Sequence, residues 1–170
     1  VGGVLASLRH MSPDGEPGDL TASVEMVRRS ARRRGMAVVV SDFLGPTTWE
    51  RPLRALGHRH DLIAICDEVY EHLWFDGHRH VPLATIDGME KRTLTLSSTG
   101  KTFSLTGWKI GWAYGSPELV RAVFSAHQFL TFAVASPLQH AMAFALREFT
   151  GPWLDGFRRE YDERRQCLLG

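Results

Sequence analysis

The sequence predicts an α/β fold in which a mostly parallel sheet is flanked by helices. Three runs are typical of strands: MAVVVSDF (residues 36–43), DLIAICDEVY (61–70) and RTLTLSST (92–99). Apolar runs that end in polar residues indicate buried parallel strands. Helix-like segments precede or follow these runs, and such alternation favours a largely parallel sheet.

The composition of the 170 residues is that of a globular protein, with 44% hydrophobic and 23% charged residues. A net charge of +1 gives no general attraction to nucleic acid or to anionic membranes. Cys66 and Cys167 have neither metal-ligand spacing nor a disulfide framework, which suits a reducing compartment. No apolar run is long enough to span a membrane. We therefore expect a soluble cytoplasmic protein, and the first residue, Val1, hints that the chain is part of a longer one.

Two helices are predicted in the first third of the chain, after a Pro- and Gly-rich loop at residues 11–19. The first covers LTASVEMVRRSARRR, with Asp19 or Thr21 as its N-cap and Gly35 as its stop. The second lies in PTTWERPLRALGHRH and is capped by Thr47 or Thr48. Its Pro52 has to lie in the first turn or to break the helix.

Three more helices are predicted towards the C-terminal end. One starts with Ser116 as its N-cap and Pro117 at its first position, and Ser136 and Pro137 repeat this start. The segment PWLDGFRREYDERRQCLLG, from residue 152, has the pattern of a charged amphipathic helix.

Polar side chains follow two of the predicted strands. Asp67 and Tyr70 follow LIAIC, and residues 97–101 follow TLTL. Ligands of open α/β sheets gather at the carboxyl ends of strands, so we expect these groups to lie near each other. A nucleophilic role for Lys101 needs a pKa depressed by burial or by a nearby cation, whereas most lysines are surface charges.

Two stretches, CDEVYEHLWFDG (66–77) and SSTGKTFSLTGWKIGW (97–112), resemble the fold-type-I pyridoxal-phosphate aminotransferases of class I/II. The resemblance is closest to the kynurenine, methionine and succinyldiaminopimelate aminotransferases, and it covers about residues 58–170. It implies a partial aminotransferase large domain, pyridoxal 5'-phosphate as cofactor, an amino acid and a 2-oxo acid as substrates, and a homodimer.

The resemblance also implies a role for each matching residue. Lys101 would be the catalytic residue, which binds the cofactor aldehyde as an internal aldimine and later carries a proton. Asp67 would pair with the pyridine nitrogen, Tyr70 would hydrogen-bond the ring oxygen, and Ser98 and Lys109 would hold the phosphate.

Elementary chemistry agrees with these roles but leaves alternatives open. A pyridine nitrogen stays protonated, as an electron sink requires, when a carboxylate lies beside it. A buried Lys109 would need an anion, which a phosphate or a structural salt bridge could supply. Asp67 could instead cap a helix or belong to a turn, Tyr70 could belong to the core or its rim, and Ser98 could simply end a strand.

Metal and nucleic-acid sites are the less favoured interpretations. His72, His78 and His80 have no further matched ligands, so we expect them in a loop and predict no metal site. The basic run RRSARRRG (28–35) is more typical of a solvated helix face.

Several family features are absent. The Asn-Pro-Thr-Gly turn has no counterpart, because GPTT (45–48) lacks the Asn and lies too close to Asp67. The Gly-rich phosphate loop, the aromatic residue that stacks on the ring and the arginine that binds the substrate carboxylate are not found either.

Residues 18–65 resemble another family, the C-terminal half of bacterial von Willebrand factor A-like domains, with Asp42 matching an acid of their metal site. This divides the chain into residues 1–57 and 58–170, although both could form one continuous α/β domain. We expect a composite or a fragment. The alternatives to an aminotransferase are a non-catalytic von Willebrand A-like interaction module, with Asp42 as a relic ligand, and a non-functional remnant.

Overall fold

The computed structural model describes residues 19–41 and 47–170. The chain divides into two compact units, Val1–Ile65 and Cys66–Gly170. Four strands form a sheet in the order β1-β2-β3-β4, and the boundary between the units falls within β2. Strands and helices share the chain, so the predicted mixed α/β class is confirmed.

In the first unit, helix α1 spans Leu20–Ser30 and begins as predicted. Asp19 is its N-cap, and an oxygen of its carboxylate accepts a hydrogen bond from Ala22 N at 3.0 Å. The predicted end at Gly35 is wrong, because the last helical residue is Ser30. The three arginines that follow Ala31 are exposed and have no apolar face to bury, so nothing favours a continued helix there.

Strand β1 spans Met36–Ser41 and is less buried than predicted. The side chains of Met36, Val38 and Val40 are 69%, 49% and 70% exposed. The continuous apolar run predicted burial on both faces, but β1 is an edge strand of the sheet. One of its faces is left open by the described residues.

Helix α2 spans Glu50–Arg59 and follows a 3₁₀ turn at Thr47–Trp49. Pro52 lies in the first turn of the helix, where its missing N–H costs no hydrogen bond. The predicted threonine cap is not formed, because Thr48 Oγ1 shares a hydrogen bond with Thr21 Oγ1 at 2.8 Å. The buried apolar residues of this unit are Val24, Trp49, Leu53, Leu56, Leu62 and Ala64.

Strand β2 spans Asp61–Asp67, β3 spans Thr93–Ser98 and β4 spans Gly111–Gly115. β3 and β4 pair in antiparallel register, with Leu94 opposite Gly115 and Ser98 opposite Gly111. β4 was not predicted. Its sequence, GWAYG, begins and ends with glycine and contains no apolar β-branched run.

Four helices lie in the second unit: α3 (Thr99–Thr102), α4 (Pro117–Leu130), α5 (Ser136–Glu148) and α6 (Gly151–Leu169). Ser116 caps α4 as predicted and accepts a hydrogen bond from Leu119 N. The predicted cap at Ser136 is wrong, because the cap residue is Ala135. A buried cluster of Ile110, Met142 and Ala145 packs against Phe103, Leu105, Val134 and Leu138.

Two arginines of α6 contact the loop that contains His72 and His78, and this loop assignment was predicted. Arg158 lies 3.9 Å above the Trp74 ring and donates a hydrogen bond to the backbone oxygen of His72 at 3.3 Å. Arg165 donates two hydrogen bonds to the carboxylate of Asp76, at 3.0 and 2.7 Å, and these lower the pKa of Asp76. The loop is therefore fixed at two points along α6.

The described ranges contain no helix with the length and apolar composition needed to cross a membrane. They also contain no group of three or more His, Cys, Asp and Glu side chains placed to hold a metal ion. Asp42 lies outside the described residues, so its predicted role stays a prediction.

The close approach of β4 to β3 predicts that Gly115→Ala destabilises the protein. A Cβ at Gly115 would lie 2.6 Å from the backbone oxygen of Thr93, so one of the two strands has to shift. We expect the free energy of unfolding, measured by urea denaturation, to fall by about 1–3 kcal/mol. Gly107→Ala is the matched control, since a Cβ there meets nothing within 4 Å. Equal stability of the two variants would contradict this packing.

His72 predicts a pH dependence of stability. Burial lowers the pKa of His72, and the nearby Glu71 opposes this shift. The folded state therefore favours the neutral ring, and its contribution is present above the unfolded pKa of about 6.5. We expect the free energy of unfolding to fall as the pH drops below that value and through the lower pKa of the folded state. His72→Gln should reduce this fall in urea denaturation at pH 8, 7, 6 and 5, and an unchanged slope would exclude the assignment.

Candidate active site

All five residues that the sequence singled out lie in the unit Cys66–Gly170. Asp67 and Tyr70 lie at the carboxyl end of β2 and in the turn after it, Ser98 and Lys101 at the end of β3 and in α3, and Lys109 just before β4.

The end of β2 presents two exposed side chains. Asp67 is exposed, and one of its carboxylate oxygens accepts a hydrogen bond from Val69 N at 3.3 Å. Tyr70 is 49% exposed, so it belongs to the rim of the unit rather than to its core. Backbone hydrogen bonds from Glu71 N to Glu68 O and from Leu73 N to Tyr70 O, both 2.9 Å, hold the chain between them in a turn.

The end of β3 leads directly into the short helix that carries Lys101. Ser98 is the cap residue of α3, and its side chain makes no capping hydrogen bond. Lys101 is exposed, and its Nζ lies 5.5 Å from the centroid of the Tyr70 ring. This is the distance of a cation–π contact. The structure thus brings together two predicted site residues from different strand ends.

Lys109 lies in a left-handed turn at the end of the 3₁₀ helix Thr106–Trp108. Its backbone has φ 54° and ψ 38°, a conformation that costs a residue with a Cβ about 1–2 kcal/mol. The next residue holds this turn in place, because the Ile110 oxygen accepts hydrogen bonds from both the N and the Oγ1 of Thr99, each at 3.0 Å. These bonds join the segment of Lys109 to the start of α3.

Two glycines allow these segments to approach one another. A Cβ on Gly100 would lie 3.3 Å from Thr106 Cα, and a Cβ on Gly111 would lie 3.1 Å from Ser97 O. Both distances are tighter than ordinary contacts with backbone atoms. The close packing against Thr106 therefore favours a residue without a side chain at Gly100.

None of the three charged site residues is buried. Asp67, Lys101 and Lys109 are all exposed, because they lie at strand ends and in turns rather than within the sheet. Neither lysine has a carboxylate partner within salt-bridge distance among the described residues. The site therefore combines two exposed ammonium groups with an exposed carboxylate.

Glu68 and Glu71 lie next to the site and were missed by the sequence analysis, which named their partners Ser97 and His80 only as part of a polar stretch and as a loop residue. Glu68 is buried, and its carboxylate accepts a hydrogen bond from Leu83 N at 3.0 Å and lies 3.3 Å from His80 Nε2. Ser97 is also buried and donates a hydrogen bond from its Oγ to Glu71 Oε1 at 2.8 Å.

The sequence held only a weak signal for these residues. Glu71 directly follows Tyr70 and Ser97 directly precedes Ser98, so adjacency to a candidate was the one available clue. In β3 burial does not follow the alternation of apolar and polar residues, because both threonines and Ser97 are buried together with Leu94, while Leu96 is only half-buried. On the same sheet, burial raises the pKa of Tyr114 on β4.

The donor set fits pyridoxal phosphate. Lys101, Lys109 and the free hydroxyl of Ser98 suit a phosphate and an aldehyde, whereas Asp67 and Tyr70 suit a protonated ring nitrogen and a ring oxygen. The glycine contacts described above keep the loops between these groups compact.

Comparisons with known proteins point to one family. The profile of the family "Aminotransferase class I and II" matches residues 46–170. The probable N-succinyldiaminopimelate aminotransferase DapC of Mycobacterium tuberculosis is 40% identical over 162 residues, which cover 92% of this chain and 40% of that protein. The kynurenine–oxoglutarate transaminase of Dictyostelium discoideum is 41% identical over 116 residues, covering 66% of this chain and 26% of that protein.

Solved structures give the same result. The N-succinyldiaminopimelate aminotransferase from Mycobacterium tuberculosis superposes with a TM-score of 0.72 at 36% identity, over 91% of this chain and 42% of that one. YbdL from Escherichia coli, described as having a methionine aminotransferase function, superposes with a TM-score of 0.70 at 26% identity, over 93% and 42% of the two chains.

These matches extend beyond the predicted limit of residue 58. The von Willebrand A-like resemblance of the earlier residues is not shown by them and stays a prediction. The chain spans about 40% of the length of its mycobacterial relative. With the family profile matched over most of its residues, the chain belongs to the class I and II aminotransferases.

Proposed function

We propose that this chain provides the cofactor-holding part of a pyridoxal-phosphate-dependent aminotransferase, which transfers an amino group between an amino acid and a 2-oxo acid. The observation that carries the proposal is the position of Lys101 Nζ, 5.5 Å from the centroid of the Tyr70 ring. An amine and a phenol from two strand ends thereby share one exposed surface of the unit.

Bound pyridoxal phosphate supplies the electron sink that this reaction needs. In our proposal the Lys101 amine would hold the cofactor at its aldehyde group, and the same amine would carry the proton at the substrate α-carbon. Its exposure in α3 leaves the amine accessible.

The other four residues orient the cofactor. Asp67 keeps the ring nitrogen protonated by presenting a carboxylate to it, and Tyr70 donates a hydrogen bond to the ring oxygen. Lys109 and Ser98 bind the phosphate, one as a point charge and the other as a hydroxyl donor. The backbone of Lys109 is held in a left-handed turn, and the hydrogen bond from Thr99 to Ile110 O fixes the point from which the lysine side chain extends.

The finer features belong to the same proposal. The resemblance of the motifs supports a homodimer with amino acid and 2-oxo acid substrates, and the spacing of the two cysteines supports a location in the cytoplasm. The division between residues 1–57 and 58–170 stays a prediction, and so does the origin of this chain as a composite or a fragment.

Lys101→Ala is expected to abolish covalent capture of the cofactor, because it removes the proposed anchoring amine. The protein would be mixed with stoichiometric pyridoxal phosphate, reduced with borohydride and mapped by mass spectrometry. The chain has three lysines, Lys91, Lys101 and Lys109, so the labelled position can be assigned without ambiguity. The wild type and the control Lys91→Ala should be labelled at Lys101. Equal labelling of Lys101→Ala at another position would refute the assignment.

Lys109→Ala is expected to weaken binding of pyridoxal phosphate about tenfold, since a hydrogen bond to a charged group contributes about 1.5–3 kcal/mol and this one is exposed. Binding of pyridoxal, which lacks the phosphate, should change little. Fluorescence titration gives both dissociation constants, and Lys91→Ala removes the same charge at another exposed position. A similar loss for both ligands would contradict a phosphate contact.

A further inference from the structure

We propose that the hydrogen bond between Ser97 and Glu71 is a positioning link that holds the Tyr70 turn and the Lys101 helix at a fixed separation. Neither residue belongs to the proposed set of cofactor contacts. The inference rests on the proposed function for its effect on cofactor binding, but the link itself can be tested without cofactor.

The contact is short and sheltered. Ser97 Oγ donates to Glu71 Oε1 at 2.8 Å, across 26 residues of chain. Ser97 is 4% exposed, and the Glu71 side chain is 19% exposed. A hydrogen bond to a carboxylate is stronger than one between neutral groups, and shelter from water increases its effect.

Each of the two partners is adjacent in sequence to a residue of the proposed site. Glu71 follows Tyr70 directly, while Ser97 directly precedes Ser98 and lies four residues before Lys101. A backbone hydrogen bond from Glu68 N to Leu96 O, at 2.9 Å, joins the same two segments one position further into the sheet. The side-chain link therefore extends the connection between β2 and β3 outward, to the point where the site begins.

Ser97 also adjoins the third segment of the site. It lies opposite Trp112 in the β3–β4 pairing, and its backbone oxygen would be 3.1 Å from a Cβ on Gly111. Lys109 precedes Gly111 by two residues. Ser97 thus stands where the segments carrying Tyr70, Lys101 and Lys109 approach one another.

Such a link has an effect because the residues it positions are not held by packing. Tyr70 and Lys101 are both exposed, so their separation depends on the backbone behind them. Without the Ser97 hydroxyl, the sheltered Glu71 carboxylate loses a donor. Among the described residues, its remaining neighbour within ion-pair distance is His72, whose Nε2 lies 3.8 Å from the same oxygen and whose ring is favoured in the neutral form. A carboxylate in that position is expected to turn towards water and to take the Tyr70 turn with it.

The test uses Ser97→Ala, Glu71→Ala, their double variant and Glu71→Gln, with Ser125→Ala as the matched control. Ser125 lies in α4 and its hydroxyl bonds only to its own helix, at Arg121 O. Glu71→Gln keeps a carbonyl oxygen that can accept from Ser97, so it serves as the conservative rescue. Hydrogen exchange of residues 67–73 and 98–103 is measured without cofactor, and the dissociation constants of pyridoxal phosphate and pyridoxal are measured alongside.

Ser97→Ala and Glu71→Ala should each raise exchange in both segments and weaken binding of both ligands about tenfold. The double variant should be no worse than either single one, and Glu71→Gln should recover most of the affinity. Unchanged exchange in Ser97→Ala, or additive effects in the double variant, would overturn the link.

If Ser97→Ala and Glu71→Ala speed hydrogen exchange but leave the affinity for both ligands unchanged, the hydrogen bond only stabilises the fold. That result would overturn its role in positioning the site residues. A wild type that binds no pyridoxal phosphate would instead refute the proposed function, and the exchange data alone would then decide whether the link exists.

Discussion

The candidate site depends on buried hydroxyl groups along β3 and at the start of α3. Thr93 Oγ1 donates to Met89 O, Ser97 Oγ donates to the Glu71 carboxylate and Thr99 Oγ1 donates to Ile110 O. All three residues are at most 4% exposed. A buried hydroxyl is costly to leave without a partner, so each one fixes the loop that supplies its acceptor. The strand therefore organises the site through its side chains as well as through its ladder of backbone bonds.

This arrangement explains how strained turns persist beside exposed side chains. Ser104 and Lys109 both have φ near 55°, which is unfavourable for residues with a Cβ. Both ends of the segment from Leu105 to Ile110 are anchored at Thr99, whose O accepts a hydrogen bond from Leu105 N and whose N and Oγ1 both donate to Ile110 O. Ile110 itself packs into the buried cluster with Met142. These hydrogen bonds and the packing of Ile110 offset the backbone strain. They position the backbone of Lys109, from which its exposed side chain extends.

Sequence reasoning succeeded where a single local rule decides the structure. Asp19 and the Ser116–Pro117 pair start helices as predicted, because capping depends on a few adjacent residues. The rule that polar residues at strand ends converge also brought Tyr70 and Lys101 together. Sequence reasoning did not predict β4, the exposure of β1 or the buried threonines of β3. In those cases the deciding factor was which strand lies alongside, and a single sequence does not encode that in any short pattern.

Geometry and desolvation are separate requirements for the chemistry of a lysine, and this chain supplies the first more fully than the second. Lys101 extends from helix α3 and its amine lies over the Tyr70 ring, yet the side chain is exposed. Activation of an amine requires burial or a nearby cation. The positioned groups on β2 and β3 would therefore determine how tightly the cofactor binds, whereas the reactivity of the amine would depend on what covers it. The affinity for the cofactor is consequently a closer readout of the described residues than turnover is.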